Sequence, residues 1–155
     1  MRAVIQRVGS ARVEVNGDIV GSIGAGLLVL IGISSSDTRE DACYLSDKIL
    51  GLRIFPDDDG RMNRNIAEAG GSLLLISQFT LYGDCRKGRR PSFDRAAPAA
   101  QAQALYNHFV DTMKLGAVPV QTGIFQAVMD VHLVNQGPVT LILDSADRTR
   151  HDRDL

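Results

Sequence analysis

The sequence predicts an α+β fold: a curved, mostly antiparallel or mixed β-sheet of barrel-like form, with two main helices in one domain. Short apolar or alternating segments of strand length recur along the chain, bounded by Gly, Pro and Asn. Apolar residues recur at helical spacing in only two stretches, one beginning near Asp37 and the other from Ala96 to Leu115. Strands and helices do not alternate regularly, which argues against a parallel βαβ sheet. The 155 residues suffice for one real core, and no repeat, low-complexity tract or linker divides them. A domain is therefore expected over 1–144, followed by a charged, loose tail over 145–155.

Residues 2–8 and 11–15 alternate as strands, and Asn16-Gly17 is a strong hairpin signal returning the chain into a strand over 18–23. Gly24 and Gly26 break that strand before the apolar strand 27–33. Asp37 as cap, with Glu40 three residues on, predicts a helix start, and Ala42, Leu45, Ile49 and Leu52 form its apolar face. A short strand at 53–55 precedes the turn Pro56–Gly60. The three carboxylates of that turn lack the spacing of an EF-hand loop, so a solvated turn is the better reading. Residues 63–69 suggest a short helical turn ending at Gly70-Gly71. The run Leu73–Leu81 then predicts a buried strand carrying three polar residues, Ser77, Gln78 and Thr80. Buried polar groups need partners, so this cluster is a candidate site. Leu105, Phe109 and Met113 mark the second helix over 96–115, capped by Gly116. Strands follow at 118–123, around 129–133 and at 139–143, with Asn135–Pro138 interrupting the last two.

Composition narrows the function. A 45% hydrophobic share excludes general disorder, and a net charge of -1 confines any nucleic-acid contact to a local patch. The N-terminus lacks a signal-peptide core, and the longest apolar run, Gly26–Gly32, is too short to span a bilayer. A cytoplasmic protein without membrane contact is expected. Cys43 and Cys85 match no metal spacing and read as free thiols acting as small apolar residues.

No Gly-x-Ser-x-Gly elbow, His-x-x-x-His, Cys-x-x-Cys or dinucleotide-binding glycine loop is present. Neither a metal nor a cofactor is expected. Asp130 and His132 share one face of a strand and could join Ser77 in a triad of a small-molecule esterase, or simply face solvent. Thr80 is a possible nucleophile without a visible base. Arg86, Lys87, Arg89, Arg90 and Arg95 lie within ten residues against Asp94 alone, which favours phosphate contact over a merely solubilising loop. A non-catalytic RNA-binding module is the other reading of that cluster. Gly137-Pro138 is either a plain tight turn or a place where carbonyl oxygens are held outward as acceptors.

Ser77-Gln-Phe-Thr-Leu81 together with Asn135-Gln-Gly-Pro-Val-Thr140 resembles the paired signature of the D-aminoacyl-tRNA deacylases, the D-tyrosyl-tRNA deacylase family. The likeness extends through Met1–Val8 and Leu52–Asp57 to the final strand. It implies hydrolysis of a D-amino acid, or of mischarged glycine, from the 3′ end of tRNA, with no DNA partner. It implies a homodimer with active sites at the interface, where Ser77, Gln78, Phe79 and Thr80 of one subunit face a cis Gly137-Pro138 of the other. Phe125 and Met129, beside Gly123-Ile-Phe125, would line the pocket near the terminal adenosine. Backbone N–H groups near Phe79 and Thr80 would hold the oxyanion, and Gly137 and Pro138 carbonyls the ammonium. The ribose 2′-hydroxyl would assist attack.

Overall fold

The computed structural model describes residues 1–148. Strand β1 (Arg2–Val15) is one long strand where two were expected, and it organises the rest. Asn16 and Gly17 turn it with positive φ, 51° and 83°, into antiparallel β2 (Asp18–Ile23). Strand β3 (Gly26–Gly32) pairs with the first half of the same edge of β1. Helix α1 (Arg39–Gly51) follows, then a small hairpin of β4 (Phe55–Pro56) and β5 (Met62–Arg64). Residues 63 and 64 thus belong to a strand rather than to a helical turn.

The expected strand Leu73–Leu81 ends early. Strand β6 (Ser72–Ser77) gives way to a 3-10 turn, Phe79–Tyr82. Helix α2 (Ala99–Lys114), short β7 (Val120–Thr122) and β8 (Asp130–Asp144) complete the chain. The sheet runs β2-β1-β3-β6-β7, with β8 on the free edge of β1. β1 is antiparallel to β2, β3 and β8, whereas β6 is parallel to β3 and β7. The sheet is therefore mixed, and its curl brings β2 against β7: a Cβ added at Gly21 would lie 2.7 Å from the Thr122 carbonyl oxygen.

Side-chain alternation divides the interior in two. Leu27, Val29 and Ile31 of β3 and Leu73 and Leu75 of β6 pack with Leu45, Ile49, Phe109 and Met113 of the helices. Leu28, Leu74 and Ile76 point the other way, onto Val8, Ala11 and Val13 inside the curl. Each of these fully buried aliphatic side chains contributes about 1.5–3 kcal/mol. β1 serves both cores because its inward phase shifts at the irregularities around Val8, so Ala3 and Ile5 face the helices and Ala11 and Val13 the curl.

The cap of α1 is shifted by one residue from expectation. Asp41 reaches back to the Thr38 N–H at 2.8 Å. Asp37 is engaged elsewhere, accepting from the Ser34 N–H at 2.7 Å and pairing with the Met1 amine. Cys43 and Cys85 are exposed rather than packed. Of the expected tail, Ser145–Asp147 forms a 3-10 turn whose Ser145 is buried, its hydroxyl accepting from the Met1 amine at 2.7 Å. Residues 149–155 lie outside the described part.

Candidate active site

The β6 ladder ends when the Gln78 N–H donates to the Ile31 carbonyl at 2.7 Å. The chain then folds back on itself. Leu81 N–H donates to Gln78 O at 3.2 Å and Gly83 N–H to Thr80 O at 2.9 Å. This turn can lie against β3 because position 32 has no side chain. A Cβ on Gly32 would sit 2.9 Å from Leu81 Cβ and 3.2 Å from the Gln78 carbonyl oxygen. At the start of the turn, the Phe79 and Thr80 N–H groups have no acceptor among the described residues. The Gln78 side-chain amide donates to the Thr80 hydroxyl, and the described residues give that hydroxyl no imidazole or carboxylate partner.

Ser77, Gln78 and Phe79 form one wall of a cleft of about 530 Å³. Phe125, Gln126, Met129 and Val131 form the facing wall, and Ala97, Ala99 and Ala102 of the approach to α2 and its first turn leave room between them. The structure thus brings together five of the expected site residues, Ser77, Gln78, Phe79, Phe125 and Met129. Thr80 lies just outside, exposed. Phe79 is 56% exposed and meets Phe93 edge-on at 5.1 Å between centroids. Phe125 leans on Tyr106 at 5.9 Å, and the Tyr106 hydroxyl donates to the Leu75 carbonyl at 3.0 Å. Burial pushes the Tyr106 phenol up to about 12, so it remains a neutral donor at physiological pH. Met129 lies over Gly123, where an added Cβ would come within 2.6 Å of its sulfur.

Gly137-Pro138 is elsewhere. The bond is cis, and it sits in an outward loop of β8, where Asn135 and Thr140 pair with Val8 and Gln6 and leave 136–139 unmatched. Arg7 braces this loop, its Nε donating to Gln136 O at 3.1 Å and a terminal nitrogen to Ile54 O at 2.6 Å. Asn135 accepts from the Val139 N–H at 2.9 Å. Three strand spacings and about four residues of register separate the loop from Ser77. Along the sheet that is about 20 Å. Gly137 and Pro138 therefore do not line their own chain's cleft.

The alternative triad does not assemble. Met129 and Val131 face the cleft, so Asp130 and His132 point to the other side of β8. His132 Nε2 is 3.6 Å from the Glu14 carboxylate instead.

In the basic loop, Asp84 holds Arg86 with contacts of 2.9 and 3.0 Å from Nε. That hydrogen bonding holds the Asp84 carboxyl down at about 2. Arg86 is therefore partnered by an acid lying just outside the ten-residue cluster. Lys87, Arg89 and Arg90 are exposed and have no carboxylate partner among the described residues. Paired backbone bonds between Asp84 and Ser92, 2.7 and 2.9 Å, close the loop at its base.

Gly32, Phe93, Tyr106 and Gln126 were not anticipated as site residues. Only Gly32 left a trace in the sequence, as a glycine inside an otherwise apolar strand.

A family profile described as D-Tyr-tRNA(Tyr) deacylase matches residues 4–144. A D-aminoacyl-tRNA deacylase of Solibacter usitatus is 64% identical over 150 residues, covering 97% of this chain and 99% of the relative. That of Geobacter sulfurreducens is 58% identical, with 96% and 98% covered. Among solved structures, the c-Myc DNA Unwinding Element Binding Protein superposes with a TM-score of 0.88 at 39% identity, covering 93% and 98%. A structure described as a probable eukaryotic D-amino acid tRNA deacylase gives 0.78 at 20% identity, with 92% and 97% covered, a likeness of fold.

Proposed function

The chain belongs to the D-Tyr-tRNA(Tyr) deacylase family and is a hydrolase of that class, and we propose that it removes D-amino acids, and mischarged glycine, from the 3′ end of tRNA. The observation that carries this reading is a cleft that offers donors without a base. Ser77, Gln78 and Phe79 converge there with Phe125 and Met129, next to two unengaged backbone N–H groups. Among the described residues no His or carboxylate lines it.

Such a site suits an ester that is already reactive. Water adds to the ester carbonyl, and the tetrahedral oxyanion is stabilised by the Phe79 and Thr80 N–H groups, the type of contact worth about 3–4 kcal/mol. The bond to the ribose 3′-oxygen then breaks, and that oxygen takes the proton. The 2′-hydroxyl next to it is the natural relay, since Thr80 has an amide partner rather than a base. The enzyme needs no metal or cofactor in this scheme.

Chirality is read across a homodimer. Gly137 and Pro138 lie about 20 Å along the sheet from their own cleft, which supports a reading in which a second copy supplies them. The long strand β8 favours a partner there, since it pairs on one edge only and exposes Val131, Val134 and Ile142. With the ester fixed at Phe79 and the ammonium on the Gly137 and Pro138 carbonyls, a D side chain points outward. An L side chain meets backbone, a clash no rotamer relieves. Glycine escapes the test. Phe125 and Met129 then flank the terminal adenosine, and Arg86, Lys87, Arg89 and Arg90 approach the RNA phosphates.

The test is hydrolysis of D-tyrosyl-tRNA and L-tyrosyl-tRNA at catalytic enzyme concentration with chelator present. Turnover of the D ester alone is expected. Binding without turnover, or equal cleavage of both, refutes the proposal.

A further inference from the structure

The Phe79–Tyr82 turn has two sides. Phe79 opens on the cleft, whereas Tyr82 is the floor of a second concavity of about 540 Å³, walled by Arg2, Arg86 and Arg95. A 3-10 turn rises about 2 Å per residue, so the backbone positions of these two residues are set about 6 Å apart along the turn. Resting on the deacylase reading above, we propose that this second concavity is the subsite for the phosphodiesters immediately preceding the terminal nucleotide of the tRNA.

Two of the three guanidinium groups, those of Arg2 and Arg86, are hydrogen-bonded in place before any ligand arrives, and Arg95 joins Arg2 over the Tyr82 ring. Arg2 lies over the Tyr82 ring at 4.9 Å and Arg95 at 5.8 Å, on a phenol that is itself buried. Arg2 is also tied to Asp144 at 3.0 and 3.1 Å and to the Leu81 carbonyl at 2.9 Å. Arg86 is oriented by Asp84. Arg95 alone has no carboxylate partner among the described residues, while its backbone carbonyl accepts from Ser35 N–H at 3.2 Å. Arg2 and Arg86 are each hydrogen-bonded to a carboxylate, whereas Arg95 makes no ion pair among the described residues and acts on Asp84 only through space. An exposed planar guanidinium with free donors, set near an aromatic ring, is well suited to a phosphate oxygen.

Position selects the ligand. Lys87, Arg89 and Arg90 are exposed on the loop closed by Asp84 and Ser92, the same loop that carries Arg86 into the concavity, so a polyanion meets positive charge nearby. The shared turn fixes the reading frame: an ester carbonyl held at Phe79 leaves the preceding backbone of the same strand beside Tyr82. Phe93 couples the two, since it contacts Phe79 and lies 3.1 Å from where a Gly83 Cβ would stand. The site is thus built for a single strand continuous with the reacting ester.

The experiment compares D-tyrosyl-tRNA with 3′-O-D-tyrosyl-adenosine, which carries the ester but no preceding phosphate. Arg95→Gln should lower the ratio of kcat/KM between the two substrates about tenfold, through KM on the tRNA, the effect of one lost charge-assisted phosphate contact. The slope of log affinity for tRNA against log salt should shrink by about 0.7. Arg95→Lys, which keeps the charge, should recover most of the ratio. Because each variant is measured on both substrates, a smaller folded fraction cancels. If Arg95→Gln leaves the ratio unchanged, and Arg86→Gln does too, the subsite is refuted. Wild-type protein inactive on both substrates would instead bring down the deacylase reading itself.

Discussion

The 3-10 turn is placed by an absence, and filling it gives the sharpest test of the site. A Cβ at position 32 would stand 2.9 Å from Leu81 Cβ, 3.2 Å from Gln78 O and 3.3 Å from the Tyr82 ring. Ordinary contacts begin near 3.4 Å, so Gly32→Ala must push the turn from β3 by about 0.5 Å, since Leu81 Cβ is fixed to the turn's backbone and Gln78 O is part of it. Oxyanion donors work within a few tenths of an ångström, and a misplacement near 1 Å costs on the order of a hundredfold. Gly32→Ala should therefore lower kcat for D-tyrosyl-tRNA by about 10- to 100-fold with KM little altered, alongside a stability loss of about 1–3 kcal/mol. Single-turnover hydrolysis and urea unfolding measure the two. Gly71→Ala supplies the comparison, since its Cβ would meet Ile66 at 3.0 Å at the opposite end of β6. That variant should lose stability but keep kcat. Equal kcat in the wild type and Gly32→Ala would refute the claim that the turn carries the donors.

Three further outcomes follow from the same geometry. Thr80→Ala should retain activity within about tenfold, because an exposed hydroxyl partnered by an amide is not an activated nucleophile; a thousandfold loss in kcat would reinstate it. Gly137→Ala should erode discrimination between D- and L-tyrosyl-tRNA, since φ is 130° there and an added Cβ would stand 2.8 Å from Val139 and 3.0 Å from the Arg7 guanidinium; an unaltered D/L ratio would remove that loop from the site. The Tyr106 phenol is raised from 10.0 to about 12, so the unfolded chain ionises first and stability should fall as pH climbs through that interval; Tyr106→Phe should flatten the alkaline decline in Tm while lowering Tm slightly at neutral pH, since the Leu75 carbonyl loses one of its two donors and keeps the Gly123 N–H.

Much of this was legible in the residues, for physical reasons. Leu73–Ile76 and Leu27–Ile31 announced buried strands, and Ser77, Gln78 and Thr80 stood out as polar groups where such a strand should be dry. Phe79-Thr-Leu81 was misjudged as more strand, because its residues favour β structure and the deciding fact lies on another strand, at Gly32. The cap of α1 shows the same limit. Asp37 fitted the pattern, yet the Met1 amine and Ser34 claim its carboxylate and the cap falls to Thr38. The charge count over 86–95 overlooked Asp84, whose grip on Arg86 requires the loop to close. Glycines and long-range partners were what local pattern could not supply.

The pairing of β1 with β8 has a consequence for synthesis. Arg2 pairs with Asp144 and Glu14 with Asp130, so one edge of the first strand waits for a partner more than a hundred residues downstream. At ribosomal speeds that delay is on the order of 10 s. The meander of β1, β2 and β3 can form early, but it must stand in the cell with an open hydrogen-bonding edge until the final strand emerges. Nascent chains of this fold are thus candidates for chaperone holding. A stalled transcript that ends before residue 130 leaves a sheet with nothing to close it.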